Sequence, residues 1–410
     1  MDNSHPSISF DNTENAFAYK TDGQLRKAKF LFSAMSHPTL VSWGTRLTPW
    51  AVNSGLPVGW LIRNTIFPQF VGGETLDETA PVAKKLGEYG VQIILDYGVE
   101  GADDDEHNYD HACNEFIRVI DYAATQPNIP FMSIKVTGIA RYSLLEKLDL
   151  SVEANAGTLM KRFAKALESL TSEENAEWQR VQGRMNRICE TAVSKNIGVL
   201  IDAEETWIQD PVDVLTMLMM DHFNKEKAVV YNTLQLYRHD RLAFLDDSIE
   251  AAEKRNFVLG VKLVRGAYME KERERAREKN YFSPIQVDKE TTDRDFNAAV
   301  THCIEHIQKV AVIVASHNEN SNLLATGLLQ EKSLPLNHPH IHFSQLYGMS
   351  DNITFNLAKA GCSVSKYLPF GPLKDVVPYL MRRAQENSSI AGQTSRELAL
   401  IIKESTRRKM

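Results

Sequence analysis

The sequence predicts an α/β fold, a closed (β/α)8 barrel, because short strand patterns alternate with longer helical patterns eight times. From residue 90 onward, each apolar or β-branched run is followed by a segment with helical periodicity. Such alternation implies parallel strands, and eight repeats favour a closed barrel over an open sheet. The predicted strands are VQIILDY (91–97), PFMSIKVTG (130–138), IGVLIDAEE (197–205), AVVYNTLQLY (228–237), FVLGVKLVRGAY (257–268), VAVIVASHN (310–318), IHFSQLYG (341–348) and CSVSKYLPFG (362–371).

The second observation is that seven of these runs begin apolar and turn polar at their C-terminal ends. In barrels of this kind, functional residues lie at the C-terminal ends of the strands and on the loops that follow. Polar side chains in these positions would therefore gather at one mouth of the barrel. The residues are Lys135, Asp202 with Glu204, Gln235, Arg265 with Tyr268, His317, Gln345 and Tyr367.

Three further parts are predicted around the strands. Residues 1–89 contain helical patterns and are predicted to form an N-terminal helical arm, with the barrel at 90–391 and a C-terminal helix at 392–410. The region 139–195 is too long for one helix, so we expect a helical insertion there. Asp210, before Pro211, and Asn318 are predicted helix caps.

Composition restricts the function classes. The net charge is −7, which provides no global attraction to nucleic acid or to anionic lipid. The N-terminal residues lack the apolar core of a signal peptide, and apolar runs such as AVIVA (311–315) are too short to span a bilayer. Four scattered cysteines without CxxC spacing predict reduced, buried thiols. We expect a soluble cytoplasmic protein with no nucleic-acid partner.

Several of the polar strand ends could carry chemistry. Asp202 and Glu204 are two residues apart and share a face of an extended strand, where they could bind a metal, act as acid and base, or pair with Lys135. The alternative is that both carboxylates cap the helix that follows. Lys262 and Arg265 lie beside a glycine turn, which suits an anionic group.

The remaining signals concern nucleotides and anions. No GxGxxG or P-loop pattern occurs, so a nucleotide cofactor would have to bind across the barrel mouth through scattered residues. His317 comes just before a helix N-terminus and is either functional or a hydrogen-bonded core histidine. In PYLMRRAQENSS (378–389), helical spacing puts Tyr379, Arg382, Arg383 and Glu386 on or near one face. The two arginines either face water or bind an anion.

Seven stretches occur in a characteristic order: SIKVTGI, IDAEETW, NTLQLYRHD, KLVRGAYMEKER, SHNENS, FSQLYGMSDN and YLPFGPLKDVVPYLMRRAQENSS. In this order they resemble the proline dehydrogenase family, the flavin-dependent enzymes of proline breakdown, over roughly residues 130–390. WLIRNTIFPQFVGGET resembles the helical arm of the stand-alone members. The resemblance implies a distorted (β/α)8 (TIM) barrel that binds FAD, with the last helix over the barrel mouth.

The resemblance also implies roles for individual residues. Arg382 and Arg383 would clamp the carboxylate of L-proline, with Glu386 orienting an arginine. Lys135 and Asp202 would form a pair near the substrate. The residues that would enclose the pyrrolidine ring are Leu263, Tyr268, Tyr367 and Tyr379. The residues that would contact FAD are Ala203, Gln235, Lys262, Arg265, Gly266, Ala267, Thr292, His317 and Asn318.

Two positions distinguish this chain within the family it resembles. Many bacterial members carry Arg where this chain has Lys262, and lysine cannot make a planar two-point contact, so the flavin could be tuned differently. Members that prefer hydroxyproline carry a smaller residue at the position of Tyr367, which favours plain proline here.

The implied reaction is oxidation of L-proline at C5 to 1-pyrroline-5-carboxylate by hydride transfer to FAD. A quinone would reoxidise the flavin, through peripheral contact with the inner face of the cell membrane. A separate pyrroline-5-carboxylate dehydrogenase would take the product. RELALIIKESTRRKM (396–410) is the candidate for membrane contact, the alternative being a packed terminal helix.

Two other functions remain open from the residues alone. One is a metal-dependent barrel lyase or hydrolase that uses Asp202, Glu204 and His317. The other is a non-catalytic relative that binds proline as a sensor through Arg382 and Arg383.

Overall fold

The structure is a computed structural model that describes residues 8–37, 39, 41–44, 58–98, 105–153, 157–389 and 393–410. Within these ranges only the backbone is described at 58, 151–153, 385–389 and 393–395. The part of the predicted N-terminal arm at 45–57 lies outside the described residues.

Eight parallel strands form one closed barrel in chain order, which confirms the predicted (β/α)8 fold. Six of the predicted runs were longer than the strands, which end two to four residues earlier, at Lys135, Asp202 and Gln235 among others. The strands are β1 (Gln92–Tyr97), β2 (Phe131–Lys135), β3 (Gly198–Asp202), β4 (Val230–Gln235), β5 (Leu259–Val264), β6 (Val310–Ala315), β7 (Ile341–Leu346) and β8 (Val364–Phe370).

Helices follow every strand, as the alternating pattern predicted. They are α1 (Thr13–Phe17), α2 (Asp22–Met35), α3 (Val58–Asn64), α4 (Phe67–Phe70), α5 (Leu76–Gly87), α6 (Glu106–Ala124), α7 (Tyr142–Glu153), α8 (Leu159–Glu168), α9 (Ser172–Lys195), α10 (Gln209–Phe223), α11 (Arg241–Arg255), α12 (Met269–Lys279), α13 (Lys289–Glu305), α14 (Glu319–Glu331), α15 (Asp351–Lys359), α16 (Leu373–Ser389) and α17 (Gln393–Arg407). A 3-10 turn at Val136–Gly138 directly follows β2. A second 3-10 turn, at Thr206–Ile208, directly precedes α10.

The chain divides into two compact units, Met1–Val99 with Phe343–Met410, and Glu100–His342. These boundaries differ from the domain division predicted from the sequence, because the N-terminal helices and the C-terminal strands belong to the same unit. The three helices α7, α8 and α9 occupy the region 139–195, which belongs to the second unit.

In the first unit, β8 pairs with β1 and with β7, and the helices of both chain ends share one apolar core. Phe32 of α2, Phe70 of α4, Leu380 of α16 and Ile401 of α17 are each buried in that cluster. Because α17 buries its apolar face against α2, the structure favours a packed terminal helix over a membrane contact at 396–410.

A buried network of charges joins the same elements. The ammonium of Lys366 on β8 lies 2.9 Å from the Asp351 carboxylate and donates to the carbonyl of Met349 at 2.5 Å, and the side chain of Lys366 is fully buried. The Tyr19 hydroxyl donates to Asp351 at 2.8 Å, and Glu397 of α17 accepts from the backbone N–H of Ser350. Burial tends to raise the pKa of Asp351, but Lys366 and Lys20 outweigh it, so that pKa is lowered.

In the second unit, β2 to β6 pair as consecutive neighbours. Asn318 caps α14 as predicted, because its side chain accepts from the backbone N–H of Ser321 at 3.1 Å. The predicted cap at Asp210 is wrong. The 3-10 turn runs directly into α10, which therefore begins at Gln209 and places Asp210 inside the first helical turn.

All four cysteines are buried and form no disulfide, as predicted. Among the described helices, none has both the length and the apolar character that crossing a bilayer requires.

Glu397 makes the stability of the fold depend on pH. Burial, and secondarily Asp351, raise its pKa from 4.5 to about 7, so its contribution to stability is complete below pH 4.5 and is lost as the pH rises through about 7. We expect the free energy of unfolding of the native protein, relative to Glu397→Gln, to fall across this range. Urea unfolding at several pH values measures this difference in the free energy of unfolding. Glu14→Gln is the control variant, because the side chain of Glu14 is exposed. A difference that stays constant with pH would contradict the assignment.

Candidate active site

A row of charged residues crosses neighbouring strands of the second unit. Lys135 and Asp202, the last residues of β2 and β3, are register partners, and Thr233 of β4 pairs with Lys262 of β5. Ile201 pairs with Asn232, so Asp202 and Thr233 come next along both strands. Register partners on parallel strands point to the same face of a sheet, so the row puts two lysines, a carboxylate and a hydroxyl together.

Asp202 is the centre of this row. Its carboxylate accepts a short hydrogen bond from the Lys262 ammonium, and both side chains are largely buried, with exposed fractions of 13% and 6%. Burial tends to raise the pKa of Asp202, but the charges of Lys262 and Lys135 outweigh burial and lower it. Asp202 is therefore a carboxylate at neutral pH, held between two cations.

Glu204, two residues on, has a different environment. Its Oε2 accepts from the Thr137 hydroxyl at 2.7 Å and its Oε1 from the Thr137 backbone N–H at 3.4 Å. Burial raises its pKa to about 7, against the opposing effects of Lys135 and Thr137. The alternative that Asp202 and Glu204 cap the next helix is wrong, since neither the 3-10 turn nor α10 has a side-chain cap.

Two buried polar atoms of β4 have no hydrogen-bond partner among the described residues. They are Oε1 of Gln235 and Oγ1 of Thr233, in residues that are 2% and 5% exposed. The amide nitrogen of Gln235 donates to the backbone carbonyl of Glu204 at 2.9 Å, which turns Oε1 away as an acceptor. Buried polar groups normally find partners, so these atoms point to a ligand with hydrogen-bonding edges.

Arg265, just beyond β5, is held by three elements. Its Nε lies 2.6 Å from Asp293 of α13, and its two terminal nitrogens donate to the hydroxyls of Ser316 and Ser321 at 2.6 and 2.9 Å. The guanidinium also lies 4.3 Å from the ring centroid of Phe296. Burial lowers the pKa of Arg265, partly offset by Asp293. The side chain is a pre-organised cation suited to an anionic ligand group.

Gly266 follows Arg265 with a φ of 127°, and a Cβ there would lie 2.5 Å from the ring of Tyr237. The turn therefore requires glycine for both conformation and space. The other residues proposed to contact cofactor or ring in this unit differ in exposure. Leu263 and Thr292 are buried, Ala203, Tyr268, His317 and Asn318 are partly buried, and Ala267 is exposed.

The predicted carboxylate-binding residues belong to the first unit. Arg383 of α16 is 6% exposed and its guanidinium lies 5.0 Å from the ring centroid of Tyr379, one helical turn away. Arg382 is partly buried, as is Tyr367 on β8. The side chain of Glu386 lies outside the described residues. Arg383 is thus not a solvated surface arginine.

Sequence patterns did not indicate Thr137, Thr233, Asp293 or the pair Lys366–Asp351. Thr233 could have been found, because it stands two residues before Gln235 and shares its strand face. The others depend on contacts between distant elements. In the part of the chain that the structure describes, no three His, Cys, Asp or Glu side chains are grouped so as to hold a metal ion.

Fold and site together define a (β/α)8 barrel with charged and unpartnered polar side chains at and near its strand ends, as far as the described residues show. The model of one family, proline dehydrogenase, matches residues 80–396, which is most of the chain. The chain belongs to the proline dehydrogenase family.

Individual relatives agree with this assignment. The mitochondrial proline dehydrogenase 1 of Dictyostelium discoideum is 33% identical over 381 residues, which cover 86% of this chain and 66% of the relative. The hydroxyproline dehydrogenase of Xenopus laevis is 31% identical over 415 residues, which cover 96% of this chain and 88% of that protein.

A solved structure supports the fold. Proline utilization A of Bdellovibrio bacteriovorus, inactivated by N-propargylglycine, has a TM-score of 0.67 at 19% identity. The similarity covers 83% of this chain but 35% of that much longer protein. At this identity the likeness supports the barrel fold alone.

The ion pair in the site can be tested by removing its cation. Lys262→Met removes the cation that contacts the largely buried Asp202 carboxylate and leaves Lys135 as its neighbouring lysine. We expect a loss of roughly 3–5 kcal/mol in the free energy of unfolding at neutral pH. The double variant Lys262→Met/Asp202→Asn should recover much of this loss, because it buries no unpaired charge. Guanidinium unfolding of the native protein, both single variants and the double variant measures the coupling. Additive effects would mean that the two side chains do not interact.

Proposed function

We propose that the chain is an FAD-dependent dehydrogenase that oxidises L-proline at C5 to 1-pyrroline-5-carboxylate, the first step of proline degradation. The observation that carries the proposal is the charged row Lys135, Asp202 and Lys262 beside the buried, open acceptor of Gln235, in a chain of the proline dehydrogenase family. FAD, when bound, supplies the hydride acceptor for this reaction, so that the protein needs no nucleophile of its own.

The second unit has the residues to hold the flavin. Gln235 would accept a hydrogen bond from a ring N–H through Oε1, which is buried and unpartnered among the described residues. Arg265, fixed by Asp293, Ser316 and Ser321, would bind an anionic part of the cofactor. Lys262 would contribute a cation whose position is set by Asp202. The further contacts assigned to the cofactor are Ala203, Gly266, Ala267, Thr292, His317 and Asn318.

The first unit has the residues to hold the substrate carboxylate. Arg383, stacked on Tyr379, would present its donors in a fixed orientation, and Arg382 would bind the second oxygen. Charge-assisted hydrogen bonds of this kind contribute on the order of 1.5–3 kcal/mol each. Tyr367 and Tyr379 would supply part of the apolar wall that a saturated ring requires, with Leu263 and Tyr268. Glu386 would orient an arginine, and Lys135 with Asp202 would pair near the ring.

The electron acceptor and the next enzyme are the outer parts of the proposal. A membrane quinone would take the electrons from the reduced flavin. The protein would be cytoplasmic and would contact the inner face of the cell membrane peripherally. A separate pyrroline-5-carboxylate dehydrogenase would take the product.

The visible absorption spectrum of the purified protein tests the proposal directly. We expect a flavin spectrum that bleaches when L-proline is added anaerobically and that changes little with hydroxyproline, because Tyr367 stands where hydroxyproline-preferring members carry a smaller residue and would leave less room for a ring hydroxyl. FAD added to flavin-free protein should restore the same behaviour.

Each other outcome points to a different function. Bleaching by hydroxyproline alone would indicate that the substrate is hydroxyproline, as the name of the Xenopus laevis relative implies for that protein. A flavin that binds but is reduced by neither substrate would favour the proline sensor. Protein that remains colourless after incubation with FAD would overturn the proposal and favour the metal-dependent alternative.

The carboxylate clamp is tested by Arg383→Met. Losing one charge-assisted contact should raise the KM for L-proline about tenfold or more, since about 1.4 kcal/mol corresponds to a factor of ten. Steady-state kinetics with a soluble dye as acceptor measures it. Arg396→Met is the matched control, because Arg396 is an exposed arginine of the same unit that pairs with Asp11. An unchanged KM in Arg383→Met would mean that the carboxylate binds elsewhere.

A further inference from the structure

Glu204 connects the C-terminal ends of three neighbouring strands, although no role in the proposed reaction has been assigned to it. Its carboxylate accepts both hydrogen bonds from Thr137, in the turn that follows Lys135 of β2. Its backbone carbonyl accepts from the amide nitrogen of Gln235, at the end of β4. Glu204 itself follows the last residue of β3 by two positions. The residue is 7% exposed, so these contacts are shielded from water.

The hydrogen bond to Gln235 decides which end of that amide faces the open position. Because the nitrogen donates to the Glu204 carbonyl, the oxygen is the atom left as a buried acceptor. If the Glu204 carbonyl moved, the amide could rotate and present a donor instead. The Glu204 side chain is in turn held by its two hydrogen bonds from Thr137.

We propose that Glu204 is a positioning residue for the flavin. The hydrogen bonds from Thr137 clamp Glu204, and the clamped Glu204 carbonyl holds the Gln235 amide with its oxygen toward the cofactor. The inference rests on the proposed FAD-dependent function and adds to it Thr137 and Glu204. The contribution of Gln235 to FAD binding then depends on the hydroxyl of Thr137, two residues beyond Lys135.

Charged groups around Glu204 make the clamp sensitive to pH. Lys135 attracts its carboxylate, whereas Glu205, which is paired with Lys271 at 2.6 Å, repels it. Burial raises the pKa of Glu204 to about 7, so the carboxylate is protonated below that value and ionised above it. The ionised form accepts both Thr137 hydrogen bonds, and the clamp is therefore complete above pH 7.

The test measures FAD binding to flavin-free protein by quenching of flavin fluorescence, with thermal melting in the absence of FAD as a check on folding. Thr137→Val removes the hydroxyl and keeps both the shape and the backbone N–H. We expect it to raise the Kd for FAD about tenfold, while Thr137→Ser, which restores a hydroxyl, stays within about twofold of the native protein. Thr191→Val is the matched control and should leave the Kd unchanged, because the Thr191 hydroxyl donates at 2.9 Å to the Arg187 carbonyl within α9, away from Glu204 and Gln235.

A double-mutant cycle separates positioning from general destabilisation. In a Gln235→Ala background, Thr137→Val should have no further effect on the Kd, because the group that it positions is gone. Glu204→Gln provides a second variant in case Thr137→Val folds poorly. It should weaken FAD binding and remove the component of the pH profile that titrates near pH 7.

Three results would overturn the inference. The first is a native-like Kd in both Thr137→Val and Glu204→Gln. The second is an equal loss from Thr137→Val with and without Gln235, which would indicate a merely structural role. The third is native protein that binds no FAD at all, which would overturn the proposed function together with the inference, whereas the first two leave the function standing.

Discussion

The structure depends on pairing the charges that its strands bury. Asp202 lies in a largely desolvated position at the end of β3, and it stays ionised because Lys262 contacts it directly and Lys135 stands opposite on β2. An isolated buried carboxylate would instead take up a proton. The fold therefore needs lysines on both sides of β3, and the same lysines give the strand ends the charge that a ligand would meet.

The first unit solves the same problem with other residues. Lys366 is fully buried on β8, and its partners are Asp351 and the Met349 carbonyl at the start of α15. Tyr19 and Glu397 extend this network to both ends of the chain. A buried ion pair adds little net stability compared with apolar packing, but breaking it is costly. Its effect is to hold the N-terminal segment and the C-terminal helix α17 in one arrangement around α15.

The residues of the candidate site are held by specific contacts, and some of their polar atoms are left unpaired. Arg265 takes its orientation from Asp293, Ser316 and Ser321, which come from two helices and a loop. Gly266 must be glycine because a side chain would meet Tyr237. Gln235 and Thr233 leave polar atoms without partners among the described residues, a local loss of stability that a bound ligand would offset. Such local losses of stability are expected at functional sites.

The sequence by itself determined the eight strands, their order, the buried cysteines and the residues at the strand ends. These features follow from local periodicity and from the rule that parallel barrels collect polar residues at one end. Tertiary structure alone decided that Asp202 contacts Lys262, that Glu204 binds Thr137 instead of capping a helix, and that Asp293 holds Arg265. Strand register and side-chain direction join residues tens of positions apart, and no local pattern records which of several nearby cations a buried carboxylate will select.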